Sequence, residues 1–172
     1  MTCDICERIK SKKGLVYLSE KVAVFIPEEA VTRGHIVVAP IGHYPILESV
    51  PEETIKEMFI IANKVGIAVF EGLGAQGTNF LIQNGTAAGQ EYPHVMLNVI
   101  PRKENDGIDM LWTPKQMTEE EMSTIELQLK EQMKEGGEQK PAETRESEKK
   151  DGAKKENEKK EDYRLKSLIR IP

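Results

Sequence analysis

Hydrophobic and polar positions along the chain repeat with two different periods, and the change between them marks the elements. Leu15-Val16-Tyr17-Leu18 and Val22-Ala23-Val24-Phe25-Ile26 are short aliphatic, β-branched runs joined by turn-prone Ser19-Glu20-Lys21, so both are predicted strands. His35-Ile36-Val37-Val38-Ala39-Pro40 is a third, closed by its proline. Asn79-Phe80-Leu81-Ile82-Gln83 is a fourth, with Asn84-Gly85 as the following turn. The fifth spans 94–100 after Pro93. There strict alternation places Val95, Leu97 and Val99 on an apolar face and His94, Met96 and Asn98 on the other.

Between the third and fourth strands the period lengthens. Ile55, Met58, Phe59, Ala62, Val65 and Val69 form the stripe of an amphipathic helix. Ser49-Val50-Pro51-Glu52 supplies helix-start chemistry and Gly72-Leu73-Gly74 the stop. A second helix opens on the capping box Thr118-Glu119-Glu120-Glu121. It carries a narrow seam of Met122, Ile125, Leu129 and Met133 and ends at Gly136-Gly137.

Beyond that helix the pattern fails. Residues 135–162 are nearly all charged, small or polar, and nothing there offsets an ordering cost of roughly 1–2 kcal/mol per residue. They read as a disordered Lys/Glu-rich linker, against a competing reading as a transient charged helix. Tyr163, Leu165, Leu168, Ile169 and Ile171 then return beside basic residues, so 163–172 is expected to be a docking segment for a protein partner, in cis or in trans. Of the 172 residues 38% are hydrophobic and 31% charged, an imbalance this tail accounts for. The net charge of −5 disfavours general nucleic-acid binding. With no apolar run of roughly 18 residues and no basic-then-apolar start, the expectation is a cytoplasmic protein without membrane contact.

Cys3-Asp4-Ile5-Cys6 contains the only two cysteines. Spacing alone leaves a metal clip, a redox pair and two unrelated buried thiols all open. The N-terminal position disfavours a thioredoxin-like redox motif, which sits between a strand and a helix.

The stretch Gly89-Gln90-Glu91-Tyr92-Pro93-His94-Val95-Met96-Leu97-Asn98-Val99-Ile100-Pro101-Arg102 resembles the signature of the histidine-triad (HIT) family of nucleotide hydrolases and transferases. That family sets three histidines at alternate positions of one strand. Here they are His94, Met96 and Asn98, with Met96 where the family's nucleophile stands. The resemblance covers residues 1–134. It implies an α+β fold of about five antiparallel strands and two helices, and a homodimer with a continuous sheet.

It also implies a structural zinc held by Cys3, Cys6, His43 and His94, the positions used by zinc-carrying members. The bland alternative, a core His94 and a surface His43, leaves the cysteines unexplained. For a purine nucleotide the resemblance points to Phe25 near the base, His35 near the triad, and Asn84, Gly89 and Gln90 facing sugar and phosphate. Each has a structural reading as well: Phe25 as core, His35 as a hydrogen-bonded strand start, the others as turn formers.

Departures from the pattern argue against the family's reaction. Pro27 stands where an acidic residue accepts the ribose hydroxyls, and Glu91 where a hydroxyl donates to phosphate. A carboxylate there opposes phosphate by about 4 kcal/mol at 4 Å with an effective dielectric near 20. A thioether at Met96 has no transferable proton, and Asn98 cannot relay one near neutral pH. The expected protein is a zinc-stabilised binding or regulatory module without catalytic residues. The alternative is an active nucleotide phosphohydrolase or nucleotidyltransferase with a non-standard set, His35 among its members.

Overall fold

The computed structural model describes residues 3–136. The linker from residue 137 onward and the 163–172 docking segment lie outside the described residues. Two compact units divide the chain, one ending at Leu111 and the other beginning at Trp112.

The first unit is built on five antiparallel strands in the order β1-β2-β3-β5-β4. β1 (Leu15–Leu18) and β2 (Val22–Phe25) form a hairpin closed by Ser19, whose hydroxyl accepts the Val22 amide N–H at 2.9 Å. β3 (Ile36–Pro40) follows, then α2 (Glu52–Leu73) crosses over to β4 (Gly77–Ile82) at the sheet edge. β5 (Leu97–Arg102) fills the place between β3 and β4. A short helix, α1 (Asp4–Ser11), precedes β1.

Strand alternation divides the core between the two faces of the sheet. Val22, Val24, Val38, Val95, Leu97 and Val99 point toward α2 and pack with its Met58, Ile61 and Ala62. Ala23, Phe25, Val37 and Ala39 point the other way and pack with Ile5 and Ile9 of α1. Burying both faces explains why β2 and β3 read as continuous apolar runs.

Three features depart from the sequence expectation. The knuckle lies on a third helix, α1, that periodicity does not reveal. The last strand begins at Leu97 rather than at His94, because β3 supplies ladder partners only for Leu97, Asn98 and Val99. Val95 instead gives its amide N–H to Tyr44 O at 2.8 Å, so the 94–96 segment is anchored outside the ladder. The long helix begins at Glu52 with Pro51 at its N-cap and no side-chain cap, while Ser49 donates its hydroxyl to Ile46 O inside a preceding 3-10 turn. Gly74 ends this helix in the left-handed conformation (φ 63°).

The second unit contains α3 (Glu119–Gly136). Its capping box is formed as the sequence predicts: Thr118 N–H donates to Glu121 Oε2 at 2.8 Å, and Glu121 N–H donates to Thr118 Oγ1 at 3.2 Å. No described helix is long and apolar enough to cross a membrane.

Candidate functional site: a thiol–imidazole cluster beside a cavity

α1 brings Cys3 and Cys6, one turn apart, onto the sheet beside the segment that carries His94. Ligand atoms of Cys3, Cys6, His43 and His94 all lie within 4.8 Å of one another. Cys3 Sγ is 3.6 Å and Cys6 Sγ 3.5 Å from His94 Nδ1, and Cys6 Sγ is 3.5 Å from His43 Nδ1. Zinc bonds of about 2.3 Å to sulfur and 2.0–2.1 Å to nitrogen, at a tetrahedral angle, require a sulfur–nitrogen separation of about 3.6 Å. The spacing matches.

Protonation supports the same conclusion. His94 is fully buried and its Nε2 donates to Pro40 O at 2.9 Å, which leaves Nδ1 as a lone pair facing both sulfurs. This outer contact is the kind that orients a metal-ligating histidine. Burial holds His94 below the usual histidine range, in the neutral form a metal needs. Without a cation, burial and then the adjacent Cys3 sulfur push the Cys6 thiol up. A divalent cation reverses that preference by favouring thiolates. Cys3, Cys6, His43 and His94 therefore fit a metal site with all four positions filled by protein.

On the same side of the sheet lies a cavity of about 710 Å³. His94 and Met96 from the segment before β5, and Asn98 and Ile100 from β5, form its floor, the polar side of the alternation read from sequence. Phe25 and His35 line it, as does Gln90. Asn84 and Gly89 are not among its lining residues. Asn84 instead accepts the Leu47 N–H at 2.9 Å and donates to Glu48. Gly89 is at φ 82°, where a Cβ would come within 2.7 Å of Gln83 Nε2, and its carbonyl accepts from Gln83 at 2.9 Å.

The two lining residues with most chemical potential are already committed. His35 Nε2 donates to Asn98 Oδ1 at 3.0 Å, and His35 Nδ1 accepts the Val31 N–H at 3.3 Å. Asn98 in turn donates to Leu81 O at 3.3 Å. Burial, only partly opposed by the Asn98 contact, keeps His35 below its ordinary range. His35 is thus a neutral clamp holding the 27–34 loop to β5. Gln90 is similarly occupied: Oε1 accepts the Gly85 N–H at 2.7 Å, and Nε2 donates to Pro45 O at 2.7 Å and Tyr92 O at 2.8 Å.

Sequence reasoning missed Arg8. From α1 its guanidinium sits 5.7 Å from the Phe25 ring centroid, donates to Ile26 O at 3.0 Å and pairs with Glu28 at 2.9 Å. Lys13 pairs with the same Glu28 oxygen at 2.7 Å. Phe25 itself is 1% exposed, so Arg8 covers the ring that the family pattern places near the base. Ile5 and Ile9, four apart beside the knuckle, were the sequence signal for a helix that would carry Arg8 there.

The HIT domain family profile matches residues 8–105. The chain is 35% identical over 107 residues to an uncharacterised HIT-like protein of Methanocaldococcus jannaschii, covering 61% of this chain and 82% of that one. It is 29% identical over 106 residues to an adenylylsulfatase of Arabidopsis thaliana, covering 60% of this chain but only 54% of the relative. Among solved structures it is similar to a zinc-bound histidine-triad protein of Mycobacterium smegmatis. That match has a TM-score of 0.60 and 28% identity, and covers 80% of this chain and 99% of the other.

Proposed function

The chain belongs to the HIT family, and from that premise we propose that it is a zinc-stabilised HIT domain that binds a purine nucleotide or a protein partner without performing the family's nucleotidyl transfer. One observation carries this reading. The cavity floor offers Met96 where the family pattern calls for a nucleophile, and both histidines that line the cavity have their ring nitrogens engaged. A thioether cannot form and release a phosphoryl intermediate in the way imidazole does, since it has no proton to lose.

Zinc, held by Cys3, Cys6, His43 and His94, supplies structural crosslinking here, because four protein ligands leave no open position. Its closeness to α1 supports a role in fixing that helix over the cavity. The zinc-bound relative of Mycobacterium smegmatis supports the same choice of metal. The outer edge of β4 has no strand beside it within the described residues, which supports pairing of two copies through a continuous sheet. The 163–172 segment remains the proposed contact for a protein partner.

The deciding experiment is a turnover assay of the full zinc-loaded chain with adenosine phosphoramidate, dinucleoside polyphosphates and adenylyl sulfate. The expected result is no hydrolysis above background. Sustained turnover of any of the three, lost on substitution of His35, would establish the alternative enzyme instead.

A further inference from the structure

The cavity's charges are arranged in a way that a nucleotide does not explain. Asp4, Glu7, Glu28, Glu29 and Glu91 all line it. Among the described residues the only lining cations are Arg8 and Lys13, and both are paired to Glu28. Lys13, and then Arg8, hold that carboxyl below its usual range, so Glu28 is ionised. The other four carboxylates have no ion-pair partner among the described residues.

Two of the neutral lining donors, Gln90 and His35, are already committed to protein acceptors. Gln90 gives its side-chain amide to Pro45 O and Tyr92 O, and its backbone N–H to Gly85 O at 3.2 Å. His35 gives its one ring N–H to Asn98.

What the cavity does provide is a planar and apolar wall next to acceptors. The Arg8 guanidinium lies 5.7 Å from the Phe25 ring centroid and lines the cavity, and a guanidinium is a group on which an aromatic base can stack. Val37, Met96 and Ile100 continue that wall. Carboxylates without cations accept strongly from hydroxyl donors, such as the hydroxyls of a sugar. A volume of about 710 Å³ lies within the range of small-molecule sites.

Resting on the nucleotide-binding half of the proposed function but narrowing its ligand to the nucleoside moiety, we infer that this cavity takes an uncharged nucleoside and that Glu91, with the other unpaired carboxylates, selects against a phosphate on it. The base stacks against Arg8 and the apolar wall, and the sugar hydroxyls donate to the carboxylate rim. A 5′-phosphate would enter a field of unpaired negative charge with no unpaired cation among the described lining residues to meet it.

Isothermal titration calorimetry on the full zinc-loaded chain tests this with adenosine, AMP, and AMP plus Mg²⁺ at one ionic strength. Adenosine should bind at least about tenfold more tightly than AMP, a difference that modest like-charge repulsion supplies. Glu91→Gln should narrow that ratio several-fold. If AMP binds as tightly as adenosine, with or without Mg²⁺, phosphate selection is overturned while nucleotide binding stands. A ratio unmoved by Glu91→Gln overturns the role given to Glu91. If millimolar adenosine and AMP give neither heat nor a melting shift, both this inference and the nucleotide-binding reading fail.

Discussion

Replacing Asn98 with leucine asks whether the His35–Asn98 contact is a structural clamp or part of a proton relay. Both residues are buried, His35 at 5% and Asn98 at 8% exposure, and the bond between them is 3.0 Å long. Asn98→Leu keeps the approximate volume but leaves the His35 Nε2–H without an acceptor. An unsatisfied buried donor costs about 1–3 kcal/mol. The lost donation to Leu81 O, already long at 3.3 Å, adds little. A destabilisation of about 2 kcal/mol is therefore expected, or a fall in Tm of roughly 6–10 °C for a domain of this size.

Substituting both partners with apolar groups, His35→Phe with Asn98→Leu, removes the orphaned donor. The double variant should recover much of that loss, with a coupling energy of about 1–2 kcal/mol in the cycle.

The same clamp makes a pH prediction. His35 has a folded pKa below its unfolded value near 6.5, so the unfolded chain binds the proton first as pH falls. The stability contributed by neutral His35 is fully present above about pH 6.5 and is lost as pH falls from there toward the folded pKa, by at most about 1.4 kcal/mol per pH unit. Urea unfolding of the zinc-loaded protein, followed by circular dichroism between pH 5 and 8, measures both effects. Acid loss of the metal affects wild type and His35→Phe alike, so the difference between them isolates the imidazole. An Asn98→Leu cost below about 0.5 kcal/mol, no coupling, and an unchanged acid slope in His35→Phe would together refute the clamp.

Metal analysis should find one zinc per chain. Structural zinc contributes about 10–16 kcal/mol of apparent binding energy, so chelation or Cys3→Ser should lower Tm sharply, and a melting point indifferent to both would remove the site. Met96→His alone should leave single-turnover cleavage of adenosine phosphoramidate near background. Adding Asn98→His and Glu91→Ser should then help by more than the sum of their separate effects, because members of a catalytic unit are non-additive. Gly34→Ala should destabilise by about 1–3 kcal/mol in urea melts: φ is 92° and a Cβ would lie 2.5 Å from Leu73 Cδ1, so a neutral result would mean the loop re-routes freely. Hydrogen exchange should show α1 opening on zinc removal while β2 and β3 stay protected, since only two buried isoleucines and the Arg8 contacts then hold eight residues of helix.

Local chemistry in the chain was enough for much of the fold. β1 spans the predicted Leu15–Leu18, Thr118 and Glu121 form their capping box, and Val95, Leu97 and Val99 face the core as period two requires. These rest on steric and hydrogen-bonding preferences of neighbouring residues, which sequence carries directly. The four metal-ligand candidates were also legible, through the knuckle and the family pattern, although only folding places their atoms within 4.8 Å.

Other features depended on contacts between distant segments. An eight-residue helix such as α1 is marginal by itself, and exists here because Ile5 and Ile9 find Phe25 and Val37 across the sheet. The last strand starts at Leu97 because that is where β3 stops offering partners, a limit set by register and invisible in the alternation. Sequence leaves the role of His35 open between catalysis and structure; the hydrogen bond its Nε2–H donates to Asn98, 63 residues away, favours structure, and only folding brings the two together. Arg8 joined the site for the same reason: its pairing with Glu28 and its position over Phe25 follow from where α1 docks. Periodicity reports which face of an element is apolar, but only packing decides which polar groups meet across it, and those meetings set the charge of the cavity.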